Sequence, residues 1–214
     1  MRNILFVVAV LGATPAFADE SGDAAGKIGG ARIEVRAGIE RPNLSDTQNG
    51  TTYVDTLGSG LTYGGEVGYD FPVGRNLTVG PYVGVDAGGA DKCETYTDVG
   101  INGTACFKGN TNLTAGVRVA YATPKTELYL GLGYDSYDVD FSIREVSNPG
   151  GVPVFSYNNN GSRGGLDVSL GANFTVSKHT YVGIGMKVGE LGEFENTGFN
   201  LQRFQGHVAL GLRF

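Results

Sequence analysis

The sequence predicts an all-β protein, a transmembrane antiparallel up-and-down β-barrel. Three observations predict this fold class: eight segments alternate between apolar and polar residues, the connections between them alternate between long and short, and no segment has a helical period. Successive side chains of a strand point to opposite sides, so this alternation gives each strand one apolar and one polar face. An apolar face toward lipid and a polar face toward a lumen is the pattern of membrane barrels.

Residues 1–18 have the pattern of a cleaved secretory signal peptide, with a positive start, a short apolar core and a small-x-small cleavage site that ends at Ala18. The apolar core is too short to span a bilayer as a helix. We therefore expect an exported chain with a short polar segment over residues 19–29 and one barrel domain over residues 30–214.

The overall composition agrees with an exported membrane barrel. The chain has 16 basic and 22 acidic residues, which gives a net charge of −6. The sequence contains no cluster of basic residues. An acidic chain of this kind excludes nucleic acid as the expected partner. Mean hydropathy is near zero. This value suits a barrel, because the apolar lipid face is diluted one-to-one by the polar lumen face.

Each of the eight segments places apolar residues at every second position, and we expect those residues to face lipid. In chain order the segments are Ala31–Ile39, Leu61–Phe71, Leu77–Ala87, Leu113–Tyr121, Glu127–Asp135, Gly165–Phe174, Tyr181–Val188 and Phe204–Phe214. Their lipid-facing sets, in the same order, are Ala31, Ile33, Val35, Ala37 and Ile39; Leu61, Tyr63, Val67, Tyr69 and Phe71; Leu77, Val79, Val83 and Val85; Leu113, Ala115, Val117, Val119 and Tyr121; Leu128, Leu130, Leu132 and Tyr134; Leu166, Val168, Leu170, Ala172 and Phe174; Val182, Ile184, Met186 and Val188; and Val208, Leu210, Leu212 and Phe214.

The connections between these segments separate into two classes. The short turns are residues 72–76, 122–126 and 175–179, and the long polar connections are residues 42–60, 88–111, 136–164 and 189–202. Short turns on one side and long loops on the other are typical of outer-membrane barrels, which have even numbers of strands. The aromatic residues of the lipid-facing sets gather near the segment ends, which indicates two interfacial girdles.

The number of strands has one alternative. The stretch Val139–Ile143 also alternates, but its parity is shifted from that of Tyr134, and a second apolar stretch, Val152–Phe155, follows a Pro-Gly-Gly turn. An additional hairpin here would give ten strands. We expect eight, with this region forming a β-extension of the third long loop above the membrane, because Pro149 and Pro153 lie close together.

The last segment ends on an outward aromatic, Phe214. Together with the alternation and the loop asymmetry, this terminus resembles the family of small outer-membrane β-barrel proteins, the porin-like and opacity-type surface proteins. The resemblance implies a place in the cell outer membrane, contact with outer-membrane lipids, and insertion by the barrel-assembly machinery, which reads the terminal strand and Phe214. It also implies a monomer with a structural or surface-interaction role, in which the long loops contact a host or another surface or merely shield the rim.

The inward face of the segments is rich in charges of both signs. The inward residues that we expect to form a lumen network are Arg32, Glu34, Arg36, Glu40, Glu66, Asp70, Asp86, Arg118, Asp135, Asp167, Lys187, Arg203, His207 and Arg213. Charges away from water must be paired, and an eight-stranded barrel is only just filled by side chains, so we expect an ion-pair network that plugs the lumen. Many inward glycines support the alternative of a narrow diffusion pore, unless Tyr82, Tyr129 and Tyr181 fill the space.

No cofactor, metal site or catalytic residue is predicted. Cys93 and Cys106 lie in the second long connection of an exported chain and predict a disulfide, worth about 3 kcal/mol as a loop constraint. Small barrels that deacylate lipid A use a His and a Ser two residues apart on the outer face. Here His207 faces the lumen and is followed at that spacing by Ala209, and His179 lies in a short turn, so a lipid-modifying enzyme is a remote alternative.

Overall fold

Ten β-strands run through the part of the chain that the structure describes, and eight of them close into a ring. The computed structural model describes residues 29–48, 51–148, 150–193 and 200–214. The strands are β1 (Gly30–Gln48), β2 (Thr51–Thr56), β3 (Gly60–Pro72), β4 (Leu77–Gly88), β5 (Asp91–Asp98), β6 (Ile101–Ala122), β7 (Thr126–Ser147), β8 (Pro153–Thr175), β9 (Thr180–Glu193) and β10 (Asn200–Arg213). The predicted signal peptide and most of the segment over residues 19–29 lie outside the described residues.

The ring contains every strand except β2 and β5, and all of its pairings are antiparallel. Its order is β1-β3-β4-β6-β7-β8-β9-β10, and β10 pairs with β1 to close it. The prediction of an eight-stranded up-and-down barrel is therefore confirmed, and the ten-stranded alternative is wrong. Within the described ranges, no helix is long and apolar enough to cross a membrane.

The seam between β1 and β10 is longer than most other junctions of the ring and shorter only than β6–β7 and β7–β8. It contains 14 residue pairs, from Arg32 opposite Arg213 to Ser45 opposite Asn200. Such a seam leaves no unpaired strand edge in the hydrocarbon, where an unbonded backbone N–H or C=O costs several kcal/mol. Closure of the ring is therefore a condition for its stability in lipid.

The two faces of the ring strands follow the alternation. In β7, the outward side chains of Leu130 and Leu132 are 57% and 59% exposed, whereas the inward Asp135 is fully buried. The exposed apolar side chains form a band around the outside of the barrel. This surface requires a hydrocarbon solvent, which the membrane provides.

Several strands continue far beyond this band, because the described parts of the long connections are largely β-structure. β7 and β8 stay paired from Thr126 opposite Phe174 as far as Val146 opposite Pro153. The third long connection is thus a β-extension, as the shifted alternation of Val139–Ile143 predicts. β2 pairs only with β1, and β5 pairs only with β6.

The shifted parity in β7 has a simple physical cause. Odd-numbered residues face inward along the whole strand, and they change from the polar Asp135 to Tyr137 and Val139, which are both at least 98% buried. Outside the membrane the strand's outer face contacts water, so its apolar side chains must turn inward. The parity of the hydrophobic residues therefore inverts where the strand leaves the lipid.

Inward apolar residues from four strands, together with Ala90 between β4 and β5, meet above the lumen. They form a cluster that we call the apolar cap, consisting of Ala90, Phe107, Tyr137, Val139, Leu191 and Leu201. Leu44, Leu57 and Phe141 pack against it. The cap covers the outer end of the charged interior.

Two side chains that are equally exposed, one in the lipid-facing band and one in a strand extension outside the membrane, should respond differently to substitution by a charged residue. Leu130→Arg introduces a charge on the lipid face and should lower the free energy of unfolding by about 2–4 kcal/mol. Val154, in the β8 extension, is 57% exposed like Leu130. Because its surroundings are water, Val154→Arg should change stability by no more than about 0.5 kcal/mol. Urea unfolding in phospholipid vesicles measures both; equal losses would show that the membrane boundary is misplaced.

Candidate functional site

The barrel interior is the first candidate site, because polar side chains from every ring strand converge there. Its central layer joins three strands. Arg36 of β1 donates two hydrogen bonds to Asp86 of β4, from Nε at 2.7 Å and from Nη2 at 2.9 Å. Arg36 Nη1 and Arg32 Nη1 also donate to the two carboxylate oxygens of Glu66, at 2.9 and 2.7 Å. Paired in this way, the charges tolerate burial.

A second layer lies at the end of the lumen nearest the short turns, and Glu127 is its centre. Arg118 Nη2 and Arg213 Nη2 donate to the two oxygens of this carboxylate, at 2.8 and 2.5 Å. Asn173 adds a third hydrogen bond at 3.0 Å. Arg118 also bonds to Asp70 at 3.0 Å, which links this layer to β3.

A third layer lies directly under the apolar cap. Arg203 Nε donates to Glu40 Oε2 at 2.7 Å, and the hydroxyl of Tyr137 donates to Glu40 Oε1 at 2.5 Å. On the opposite side, Lys187 lies 3.4 Å from Asp135 and donates to the hydroxyl of Thr114 at 2.7 Å. Tyr137 thus belongs to both the ion-pair network and the cap.

Two residues of the expected network have no ion pair among the described residues. Asp167 is fully buried, and neither of its carboxylate oxygens has a hydrogen-bond partner. His207 is 8% exposed, and its Nε2 lies 3.4 Å from the hydroxyl of Tyr129. The structure places the other twelve residues in the ion pairs of the three layers or, for Glu34, against Arg32 at 3.4 Å.

Tyrosine rings occupy the space above the inward glycines. A Cβ atom added at Gly116 would lie 2.8 Å from Cζ of Tyr82, and one added at Gly133 would lie 2.8 Å from its hydroxyl. The ring of Tyr181 lies against Gly211 in the same way. These inward glycines are therefore positions where a strand approaches an aromatic ring, and at Gly68 and Gly84 the neighbouring group is instead the guanidinium of Arg32 or Arg36.

Arginine guanidinium groups lie over the faces of the lumen tyrosines. Arg118 is 4.9 Å from the ring centre of Tyr129, and Arg213 is 4.8 Å from that of Tyr181. These cation–π contacts add to the ion pairs. A cavity of about 10 Å³ at the level of His207 is bordered by several of these groups, and this is about the room that one water molecule needs.

The second candidate site is a four-stranded sheet above the membrane, which we call the outer sheet. It consists of β5, residues 101–109 of β6, residues 138–147 of β7 and residues 153–162 of β8. Cys93 and Cys106 are paired across β5 and β6 and form the disulfide that the sequence predicts. The bond joins the edge strand to its neighbour.

A tyrosine spans the β6 strand of the outer sheet. The ring of Tyr96 crosses Gly103, and its hydroxyl donates to Glu145 of β7 at 2.5 Å. This hydrogen bond to the carboxylate raises the pKa of the Tyr96 phenol, because it stabilises the protonated form. β5 is therefore linked to the sheet by a disulfide, by its backbone ladder and by this side-chain bridge.

The predicted lumen network omits two important members of the interior. Glu127 begins the fifth segment with the same parity as Asp135, so the alternation itself already puts it on the inward face. Tyr137 lies in a stretch that sequence reasoning assigns to a polar loop. Only the continuation of β7 beyond the membrane brings its hydroxyl to Glu40.

The closed ring, with its apolar exterior and charged interior, defines a transmembrane β-barrel. Residues 4–214 match the family model described as the outer membrane protein beta-barrel domain. The chain belongs to this family, which confirms the resemblance drawn from its sequence and its place in the outer membrane. A search among curated proteins gave no match.

Solved structures of small outer-membrane barrels are similar to this chain at low sequence identity. The attachment invasion locus protein Ail of Yersinia pestis has 13% identity and a TM-score of 0.42, over 86% of this chain and 99% of that chain. Neisserial surface protein A has 15% identity and a TM-score of 0.46, over 85% and 97%. OprG from Pseudomonas aeruginosa has 14% identity and a TM-score of 0.46, over 90% and 99%.

The contact between Gly211 and the Tyr181 ring can be tested by adding one methyl group. Gly211→Ala would push a Cβ into the ring, which is held by a 2.9 Å hydrogen bond to Glu34. We expect a loss of about 1–3 kcal/mol in unfolding free energy. Gly206, on the outward face of the same strand, has no atom within 4 Å of an added Cβ. Gly206→Ala should therefore be close to neutral, and equal stability of the two variants would contradict a filled interior.

Proposed function

We propose that the protein is a plugged outer-membrane barrel with a structural role in the envelope, which also presents the outer sheet for contact with external surfaces. The observation that carries the first part is the filling of the interior by three layers of ion pairs beneath the apolar cap. The continuation of β6, β7 and β8 beyond the lipid-facing band into the outer sheet supports the second part.

The energetic cost of opening the lumen supports the absence of conduction. A hydrated ion would have to pass the Arg36–Asp86 pair, the Arg203–Glu40 pair and then the apolar cap. Breaking a buried ion pair by removing one partner costs about 3–5 kcal/mol, because the other charge is left buried without a partner. The inward glycines, which motivate the pore alternative, provide no continuous path because tyrosine rings, guanidinium groups and neighbouring polar or backbone atoms lie over them.

Single-channel recording tests the plugged lumen. Purified protein reconstituted in a planar bilayer should give no conductance steps under conditions in which an open porin, recorded in the same chamber, gives large ones. Reproducible steps that scale with protein concentration would establish the diffusion-pore alternative and remove the proposed plug.

The candidate residues for catalysis support a non-enzymatic role. His207 lies inside the barrel against Tyr129 at 3.4 Å, where a lipid or peptide substrate has no access. His179 lies in the short turn between β8 and β9, and its Nδ1 is 3.0 Å from the backbone oxygen of Arg213. We further propose that Phe214, on the outward face and 64% exposed, serves as the assembly signal of a monomeric barrel.

The outer sheet is well suited to present a binding surface. Long connections on a rigid scaffold commonly carry recognition, and here the scaffold continues into the loops themselves as paired strands. The disulfide between Cys93 and Cys106 and the Tyr96–Glu145 hydrogen bond fix the edge of the sheet. A surface that is ordered before binding loses less conformational entropy when a partner binds.

Trimming the outer sheet separates its role from that of the barrel. A variant in which residues 93–106 and 142–158 are replaced by short hairpins keeps the apolar cap, and it should retain folding, shown by heat-modifiable gel migration, and should reach the outer membrane. We expect it to lose attachment of cells to host cells or matrix. The control is the Cys93→Ser/Cys106→Ser variant, which keeps the sheet and should keep most of the attachment. If the trimmed barrel attaches like the full protein, the surface-interaction role fails and the structural role remains.

A further inference from the structure

The rim at the short-turn end of the barrel carries an unusual arrangement of charge. Each of the three short turns contains one lysine or arginine, and the three are Arg75 between β3 and β4, Lys125 between β6 and β7, and Lys178 between β8 and β9. No acidic residue occurs in residues 72–76, 122–126 or 175–179. In a chain with an excess of acidic residues, the three short turns are therefore positive.

The three cations are free to contact an external partner. All three side chains are exposed, and none has an ion pair with any residue in the described ranges. The nearest carboxylates along the chain, Asp70 and Glu127, point into the lumen and are already bonded to Arg118. Interior charges therefore do not neutralise the rim.

The position of the cations is fixed by the backbone of the turns. Val73 N donates to Leu77 O at 2.9 Å, Thr123 N to Thr126 O at 2.7 Å, and Val176 N to Thr180 O at 2.9 Å. Because the turns join alternate pairs of ring strands, the cations are distributed around the barrel and not gathered at one point.

The surroundings of the cations are those of a lipid headgroup region. Phe71, Tyr121 and Phe174 are 43–51% exposed on the outward face at the strand ends beside the turns, where aromatic side chains mark the membrane interface. In two of the turns an exposed apolar side chain, Val73 or Val176, lies two residues before the cation. Each of these turns thus offers an apolar anchor toward the acyl chains and a cation at the height of the phosphates.

We propose that Arg75, Lys125 and Lys178 form a rim that binds the phosphates of anionic phospholipids in the leaflet facing the short turns. The opposite end differs in charge. The hairpin of β5 and β6 has Asp91, Glu94 and Asp98 against only Lys92 and Lys108. The two ends therefore attract different surfaces, and the rim selects negatively charged headgroups over zwitterionic ones.

The test compares two variants of equal charge. The rim variant is R75Q/K125Q/K178Q, and the control variant R41Q/K108Q/R144Q removes three cations from the opposite end. Protein folded into vesicles of phosphatidylcholine and phosphatidylglycerol is probed with spin-labelled lipids of each class. One cation near an anionic surface is worth roughly a fivefold preference. We expect the wild type and the control variant to prefer phosphatidylglycerol by roughly this factor and the rim variant to show no preference.

Salt and a second binding assay complete the test. In 1 M NaCl, where the Debye length is about 3 Å, the wild type should lose its preference without any mutation. If the rim variant keeps the wild-type preference, or if the control variant loses it equally, the proposal is wrong. If lipid preference is the same in all three proteins but isolated cell-wall sacculi sediment the wild type and not the rim variant, the cations contact the wall, and the lipid assignment is overturned.

Discussion

The need to satisfy every backbone hydrogen bond in lipid is the constraint on which the rest of the structure depends. A strand edge exposed to hydrocarbon leaves a row of N–H and C=O groups without partners, so the sheet must close. The 14-pair seam of β1 and β10 meets this need with eight strands. Eight strands enclose an interior only wide enough for side chains. The charges that alternation turns inward must therefore find partners across a narrow space, and this necessity produces the layered network.

The ion-pair network and the inward glycines depend on each other, because the large side chains of the network fit only where a neighbouring strand has a glycine. Large inward groups such as Tyr82 and Arg36 need room, and Gly131, Gly133 and Gly84 on facing strands provide it. A glycine-rich lumen face looks open when it is judged from one strand. It is filled once the cross-strand neighbours are known, because the volume missing at each glycine is occupied by a ring or a guanidinium group from elsewhere in the ring.

The sequence predicts this structure best within the membrane, because lipid there requires an apolar outer face and leaves the inner face polar. Within the membrane, alternation identifies all eight ring strands and puts residues such as Arg32 and Asp135 on the lumen face. Outside it, both faces of a strand can be polar, so the short strand β5 reads as a loop, and only the shifted alternation of Val139–Ile143 indicates the extension of β7 and β8. Partners such as Glu127 with Arg213 depend on the register across strands, which one sequence without alignment does not contain.

The inversion of parity in β7 gives one strand two functions. Below the boundary Asp135 faces the lumen and Leu132 faces lipid; above it Val139 faces inward and Asp138 faces water. The same backbone ladder therefore builds a membrane wall and, without a hinge, the apolar cap and the outer sheet. In the proposed function nothing passes between the two ends, so each end acts on the surface next to it. What couples them is the rigidity of the shared strands, which holds the outer sheet at a fixed height while the short turns remain at the opposite interface.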